Sequence, residues 1–459
     1  MSKQITVGLL PLYIKLYDDV APAARPPQEI FAADVSANLE KQGFKVVSAP
    51  VCRIKSEFDA AVKALENAGC EVLATLHLAY SPSLESIDAI SSSQLPVVIL
   101  DTTPDASFDD PGKKLMGNHG IHGVQDLGNM LLRRKKPFLI AAGACDDAFF
   151  TKASKLIKAA AMTYKMTHLR IGSVGGEFAG MGDFQVPQDT FGMTVIPWQD
   201  MPVPEAAEIA SETAQDLAVF DVRDLDENAH RETVTASLKL RNWIKQENLD
   251  AFTICFLGIT RSAGWATVPF LECSKAMARG LGYAGEGDIL TAGLHAALFR
   301  AFPDCGFSEM FCPDWVNDRI FTSHMGEINL ALAEEQPVLT SIQYKFSETG
   351  NPAVAYACYR PGKACWVNLA PGADGKFTLI AAPVEFLPSP ENTRKAKRNS
   401  GWFRPSCGSA GEFLEKCTGG SPGRQGSENH RYHIGQGNIR KLSLFRAELP
   451  PAAGAFSWH

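Results

Sequence analysis

Apolar runs and amphipathic segments alternate through the first 150 residues of the chain. Four apolar runs have the length and composition of buried strands: ITVGLLPLY, KVVSAPV, EVLATLHLA and PVVILDTT. Segments with helical periodicity lie between them, among them QEIFAADVSANLEKQGF, which ends at a glycine as helices often do. This β–α succession predicts a parallel sheet covered by helices on both faces, with functional residues at the carboxyl ends of its strands.

The same alternation continues to about residue 320 and then gives way to a different pattern. The further strand candidates are PFLIAAGAC, THLRIGSV, TVIPWQD and AFTICFLGIT, and residues 204–220 and 226–248 have helical character. After about residue 330, short β-like runs such as VLTSIQYKF and FTLIAAPVEFL are separated by Gly, Pro and Asn. Such spacing is typical of an antiparallel sheet or barrel.

These patterns predict an α/β protein with three domains. Two Rossmann-like or flavodoxin-like parallel-sheet domains are expected over residues 1–165 and 166–330. A mostly β, barrel-like domain with an irregular tail is expected over residues 331–459. The length of 459 residues is compatible with two to four domains.

Charge and cysteine usage narrow the choice of partners and compartment. The net charge is -7 and there is no long basic run, which argues against a nucleic-acid partner. No run approaches the roughly 20 apolar residues of a membrane helix. The N-terminus lacks a small-residue cleavage site and is interpreted as a first strand. The 11 cysteines are scattered without paired spacing, which favours a reducing, cytoplasmic location over a disulfide framework.

Two stretches carry candidate chemistry. GYAGEGD places Glu286 between two glycines and Asp288 directly after the second, just ahead of an apolar helical run. Residues 306–332 then add Glu309 and His324 within strand-like sequence. Carboxylates and an imidazole in this mixture suit Mn²⁺, Mg²⁺, Co²⁺ or Fe²⁺ better than a structural zinc site. The alternative is that these acids are solvated, and that Asp288 is simply a helix N-cap.

Several motifs in the same order resemble those of the L-fucose isomerase and L-arabinose isomerase superfamily. They are LHLAYSP, NHGIHGVQDLGNMLLRR, RIGSVGGEFAGMGDF, GYAGEGDILTAGL and FSEMF followed by TSHMGEINL. The resemblance covers roughly residues 5–330, and the combination is far more specific than any single motif.

The resemblance implies a metal-dependent aldose–ketose isomerase acting on a small-molecule sugar. By that analogy Mn²⁺, or Mg²⁺ or Co²⁺, is bound by Glu286 and Glu309, with His324 as a further ligand. The two glutamates would share ligand and acid–base duties, and which of them is the base stays open, as does a hydride shift. The family builds its sites between subunits, so a homotrimer or homohexamer is expected.

Five further residues are candidates for binding the sugar, each with a plainer alternative. His122 lies at the sugar by family resemblance, although HGIHG alone is typical of a flexible loop. Tyr13 and Lys15 follow the first predicted strand, where function is common, but both types are frequent in loops. Trp315 could stack on the sugar or belong to the core. Asp183 could bind hydroxyls or close a turn.

The C-terminal tail departs from the family pattern. The family has one more metal-binding histidine in a Gly-Gly-Thr-His-His type segment, whereas here Pro422 follows TGGS. An insertion that returns His430 or His433 to the site is one explanation and is preferred, with His430 as the ligand. A shifted reading frame after about residue 420 is the other.

A non-catalytic sugar-binding protein is the alternative function, because two α/β lobes also describe solute-binding proteins.

Overall fold

The computed structural model describes residues 4–181, 188–371, 377–417 and 441–445. The chain divides into two compact units, residues 4–165 and the described residues from Met166 onward. The predicted combination of two parallel sheets followed by an antiparallel region is confirmed. In the described ranges, no helix has both the length and the apolar character needed to cross a membrane.

The first unit contains a five-stranded parallel sheet with the order β2-β1-β3-β4-β5. The central strands β1 and β3 are buried along their whole length, which explains their continuous apolar sequence, whereas the edge strands β2 and β5 are partly exposed. Two separate hydrophobic clusters cover the two faces. The strands are β1 (Thr6–Leu12), β2 (Lys45–Ser48), β3 (Val72–His77), β4 (Val97–Asp101) and β5 (Phe138–Ala142). The helices are α1 (Lys15–Val20), α2 (Arg25–Lys41), α3 (Lys55–Asn67), α4 (Ser83–Ser92), α5 (Pro111–Lys114), α6 (Ile121–Arg133) and α7 (Asp147–Met166).

The second unit begins with a four-stranded parallel sheet in the order β10-β9-β6-β7. A small mixed sheet, β14-β13-β8, lies in the same unit. The strands of these two sheets are β6 (Arg170–Val174), β7 (Thr194–Pro197), β8 (Asp221–Val222), β9 (Ala251–Ile254), β10 (Gly282–Gly285), β13 (Val338–Ser341) and β14 (Ala353–Tyr356). The helices are α8 (Gln188–Phe191), α9 (Ala206–Val219), α10 (Glu227–Gln246), α11 (Phe270–Ala278), α12 (Ile289–Leu298), α13 (Glu391–Lys395) and α14 (Ala410–Cys417).

A closed, antiparallel six-stranded barrel completes this unit, in the order β11-β12-β17-β16-β15-β18. Aromatic and branched side chains fill its core, among them Trp366, Phe386 and Phe403. The strands are β11 (Cys305–Asp314), β12 (Arg319–His324), β15 (Gly362–Pro371), β16 (Phe377–Leu387), β17 (Asn399–Pro405) and β18 (Lys441–Phe445). The hairpin of β11 and β12 therefore belongs both to the barrel and, through its acidic residues, to the candidate site described next.

Candidate functional site

One cavity lies at the carboxyl ends of β9 and β10 in the second unit. Its volume is about 160 Å³. Three carboxylates and one imidazole face it, from Glu286, Glu309, Glu327 and His324. The other lining residues are Ile254, Phe256, Phe270, Tyr283, Gly285, Phe311, Met325, Tyr344 and Phe346. An apolar cavity with a few converging polar groups, at this end of a parallel sheet, has the usual features of a small-molecule site.

Glu286 stands on the turn between β10 and α12, in an unusual backbone conformation. Its φ is +63°, in the left-handed region that residues other than glycine rarely adopt. Hydrogen bonds enforce the turn: the backbone N–H of Glu286 donates to the carbonyl of Ile254 at 2.7 Å, and that of Gly287 donates to Thr253 Oγ1 at 3.1 Å. Such strain costs about 1–3 kcal/mol and is concentrated at functional sites. The turn therefore supports a functional role for Glu286.

The residues on either side of Glu286 have distinct roles. Asp288 is the N-cap of α12, because its carboxylate accepts a hydrogen bond from the backbone N–H of Thr291 at 2.8 Å. The helix-cap interpretation of Asp288 is thus confirmed. Gly285 lies against the ring of His324: a Cβ added at Gly285 would stand 2.8 Å from Cε1 and 3.1 Å from Nε2. Only glycine lets the imidazole approach the turn this closely.

Glu309 and His324 reach the cavity from the two strands of one antiparallel hairpin. Glu309 lies opposite Ser323, and His324 ends β12. The Glu309 residue is only 3% exposed. The backbone carbonyl of Glu309 accepts a hydrogen bond from Thr322 Oγ1 at 2.6 Å, which ties the two strands together beside the site. Glu309 and His324, which are 15 positions apart in the sequence, thereby face the same cavity as Glu286.

His324 lies against a buried carboxylate that is itself hydrogen-bonded to a tyrosine. Its Nδ1 lies 2.9 Å from Glu327 Oε1, and the Tyr283 hydroxyl donates to the same oxygen at 2.6 Å. The Glu327 side chain is fully buried. The Nδ1–Oε1 contact is at ion-pair distance but does not have the alignment of a hydrogen bond in this structure. A carboxylate this close still favours the neutral tautomer that carries its proton at Nδ1, which leaves the lone pair on Nε2. Carboxylates that orient a histidine in this way are common beside metal-ligating imidazoles.

The carboxylates also determine how the neighbouring tyrosines ionise. Burial raises the pKa of Tyr344, and the charges of Glu327 and Glu286 raise it further. Burial is the main cause that raises the pKa of Tyr283 well above its ordinary value, and the neighbouring Cys273 and the Glu327 carboxylate add to it. Both phenols therefore keep their protons at neutral pH and act as donors in the cavity wall.

The donor set fits a hard divalent cation by type. Carboxylate oxygens and one imidazole nitrogen suit Mn²⁺, Mg²⁺ or Co²⁺. The side-chain positions are more open than a bound ion requires: within the described ranges, no three His, Cys, Asp or Glu side chains stand close enough together to hold a metal ion. Glu286, Glu309 and His324 would have to close in on an ion, so the metal centre stays a prediction.

The remaining predicted site residues are not among those that line this cavity, or they fall outside the described ranges. Trp315 is 66% exposed between β11 and β12 and is absent from the cavity lining, so the core alternative for it is wrong. Three others belong to the first unit. Tyr13 is buried just after β1, Lys15 pairs with Asp19 at the surface of α1, and the exposed His122 is an early residue of α6.

Asp183 and His430 fall outside the described residues, as does His433. Within the first unit, His122 Nδ1 lies 2.9 Å from Nε2 of His119, so the HGIHG segment pairs two imidazoles at the start of α6. The roles proposed for all these side chains in sugar or metal binding stay predictions.

Sequence reasoning gave no role to two residues of the site, although Glu327 lies in the candidate stretch 306–332. Glu327 stands three positions after His324, a spacing that alone could have suggested a partner for the imidazole. Tyr283 lies in a wholly buried strand, where its sequence context indicates only core packing. The role of its hydroxyl is recognised only once the folded structure shows that the hydroxyl donates to Glu327.

Comparison with known proteins gives one consistent result. The chain is 24% identical over 357 residues to L-arabinose isomerase of Aeromonas salmonicida, which covers 71% of this chain and 70% of the relative. L-arabinose isomerase of Enterobacter sp. (strain 638) is 23% identical over 347 residues, 69% and 68% of the two chains. L-arabinose isomerase 1 of Clostridium acetobutylicum is 33% identical over a shorter stretch of 135 residues. That stretch covers 28% of this chain and 27% of the relative. No protein-family model matches the chain.

Proposed function

Because this chain belongs to the superfamily of L-arabinose and L-fucose isomerases, we propose that it is an aldose–ketose isomerase. The reaction moves hydrogen between C1 and C2 of an open-chain sugar. The observation that carries the proposal is that Glu286, Glu309 and His324 line the same cavity. Relatives named for L-arabinose make that pentose the first substrate to test.

Two carboxylates in one cavity match the proton movements of this reaction. One takes the proton from the carbon beside the carbonyl, and a second acidic group moves the hydroxyl proton. Transfer through an enediol needs both groups within reach of the same pair of carbons. Glu286 and Glu309 face the same cavity from separate elements, so they are the proposed pair. Which one removes the carbon proton is open, and a direct hydride shift remains the alternative route.

Glu286, Glu309 and His324 are the proposed ligands of a divalent cation, Mn²⁺ by preference and Mg²⁺ or Co²⁺ otherwise. His430 is the proposed fourth ligand. When bound, the cation would polarise the carbonyl and offset the negative charge that develops on the substrate. Glu327 Oε1 lies 2.9 Å from Nδ1 of His324, and Phe256, Phe270 and the two tyrosines contribute a largely apolar wall to the cavity.

The proposal extends to assembly and compartment. We expect a homotrimer or homohexamer in the cytoplasm, with neither nucleic acid nor membrane as a partner. None of the 11 cysteines, all of which lie in the described ranges, forms a disulfide, which agrees with a reducing compartment. Light scattering after size-exclusion chromatography measures the assembly, and a monomer at working concentration would contradict this part of the proposal.

The decisive experiment replaces Glu309 with Gln. Purified protein is incubated with Mn²⁺ and a panel of aldoses beginning with L-arabinose, and ketose is quantified by NMR. The wild type should form ketose from at least one sugar, and Glu309→Gln should form none, because the amide can neither accept a proton nor carry the charge. Glu385→Gln, an exposed strand position outside the cavity, is the matched control.

Two results would contradict the proposal. Normal turnover by Glu309→Gln would remove the carboxylate pair from the reaction. Sugar-induced shifts in melting temperature without ketose from any aldose in the panel would favour the sugar-binding alternative instead.

A further inference from the structure

Tyr283 carries a polar group in a place where only packing is required. It lies in β10, is 0% exposed, and its ring stands 5.0 Å from that of Phe252 and 5.7 Å from that of Phe307. A phenylalanine would fill the same space between these rings. The hydroxyl must therefore be accounted for separately, since a buried hydroxyl without a bond destabilises a fold.

The hydroxyl is bonded to the residue that holds His324. It donates to Glu327 Oε1 at 2.6 Å, and the same oxygen lies 2.9 Å from His324 Nδ1. Within the described residues, Glu327 Oε2 has no hydrogen-bond partner. Glu327 is thus held through one oxygen, which the tyrosine and the imidazole share. Without the tyrosine, the buried carboxylate would be free to rotate and to present its other oxygen.

We propose that Tyr283 is a positioning residue: its hydroxyl fixes the Glu327 carboxylate, so that His324 keeps its proton at Nδ1 and turns the lone pair of Nε2 towards the turn that carries Glu286. The direction follows from Gly285, where an added Cβ would lie 3.1 Å from Nε2. The inference rests on the proposed function in one respect, that Nε2 is the atom that meets the divalent cation.

The loss of Mn²⁺ affinity expected when Tyr283 is replaced can be given a magnitude. Outer partners of metal-binding histidines typically change metal affinity by about 10- to 100-fold when they are replaced. Tyr283→Phe removes one donor and no volume, so the fold should be retained while Mn²⁺ affinity falls within that range. Because the tyrosine acts through Glu327, its effect should vanish when Glu327 is already replaced.

The test is a double-mutant cycle on Mn²⁺ affinity, measured by isothermal titration calorimetry without sugar. Tyr283→Phe and Glu327→Gln should each weaken binding by about tenfold or more, and the double variant should bind no worse than Glu327→Gln alone. Tyr164→Phe removes a half-buried hydroxyl of α7 that does not line the cavity, and should keep wild-type affinity. Wild-type affinity in Tyr283→Phe, or fully multiplicative losses in the double variant, would overturn the proposal.

A second readout separates this inference from the proposed function. The tautomer of His324 is measured in metal-free protein by ¹⁵N NMR of labelled histidine, assigned with a His324→Gln variant. The wild type should carry the proton at Nδ1, and Tyr283→Phe should show a mixture of tautomers. If the wild type neither binds Mn²⁺ nor forms ketose, the proposed function fails, while this spectrum still decides the role of Tyr283. An unchanged tautomer in Tyr283→Phe would refute that role.

Discussion

The imidazole of His295 should make the stability of the second unit depend on pH. It is 0% exposed within α12, its ring stacks on Phe299, and its Nδ1 lies 3.2 Å from the backbone nitrogen of Tyr283. Burial lowers its pKa from 6.5 to about 4, since the charged form loses its hydration. Between these values the unfolded chain binds a proton that the folded chain does not. The stabilisation is therefore complete above pH 6.5 and is lost as the pH falls towards 4.

The size of the effect follows from the same two pKa values. The gap between them corresponds to roughly 3 kcal/mol in total, at 1.36 kcal/mol for each pKa unit. Between pH 7 and pH 5 the wild type should lose about 2 kcal/mol of unfolding free energy through this residue. His295→Leu should lose that part of the pH dependence, even though its stability at pH 7 also changes.

Tryptophan fluorescence during urea unfolding is the appropriate assay. All seven tryptophans follow residue 165, so the signal reports on the second unit alone. His168→Leu replaces an exposed histidine of that unit and should retain the wild-type pH dependence. Equal pH dependence in the wild type and in His295→Leu would refute the reasoning, because it would mean that the buried imidazole is already protonated or is hydrated in the folded protein.

Three further outcomes follow from the structure. Arg241→Met leaves the fully buried Glu272 without one of its charged partners, and should therefore lower the unfolding free energy by about 3–5 kcal/mol. Urea titrations measure this loss, and a value below about 1 kcal/mol would contradict the prediction. Asp288→Ala should cost about 1 kcal/mol through loss of the α12 cap, and an unchanged melting temperature would argue against the cap. In Gly285→Ala, the added Cβ should displace the ring of His324 and so weaken Mn²⁺ binding by about tenfold or more. Wild-type affinity in this variant would show that the ring can move aside without penalty.

Much of the architecture follows from hydrophobic pattern, because buried parallel strands must be apolar on both faces. Runs such as TVGLLPL and VLATLH therefore identify their strands directly. The same logic places Glu286 at a strand end, where ligands bind. Glu309 and His324 were recognised by family resemblance, and the structure places both against the cavity that Glu286 also faces.

Other features depend on pairing between distant segments, which local pattern does not encode. β17 lies in a polar, Gly- and Ser-rich region and is held by β12 and β16, whose partner residues precede it in the chain. The bond from Tyr283 to Glu327 spans 44 positions in the same way. A tyrosine among apolar neighbours indicates core packing, and only the folded chain reveals what its hydroxyl contacts.

The barrel is closed by the last described strand, and this has a consequence for synthesis. β11, which carries Glu309, pairs with β12 on one side and with β18 on the other, from Cys305 opposite Phe445 to Glu309 opposite Lys441. While a ribosome is still making the chain, β11 is an open sheet edge until residues 441–445 emerge. Such edges recruit other chains. Nascent chains halted before that point should therefore aggregate or engage chaperones.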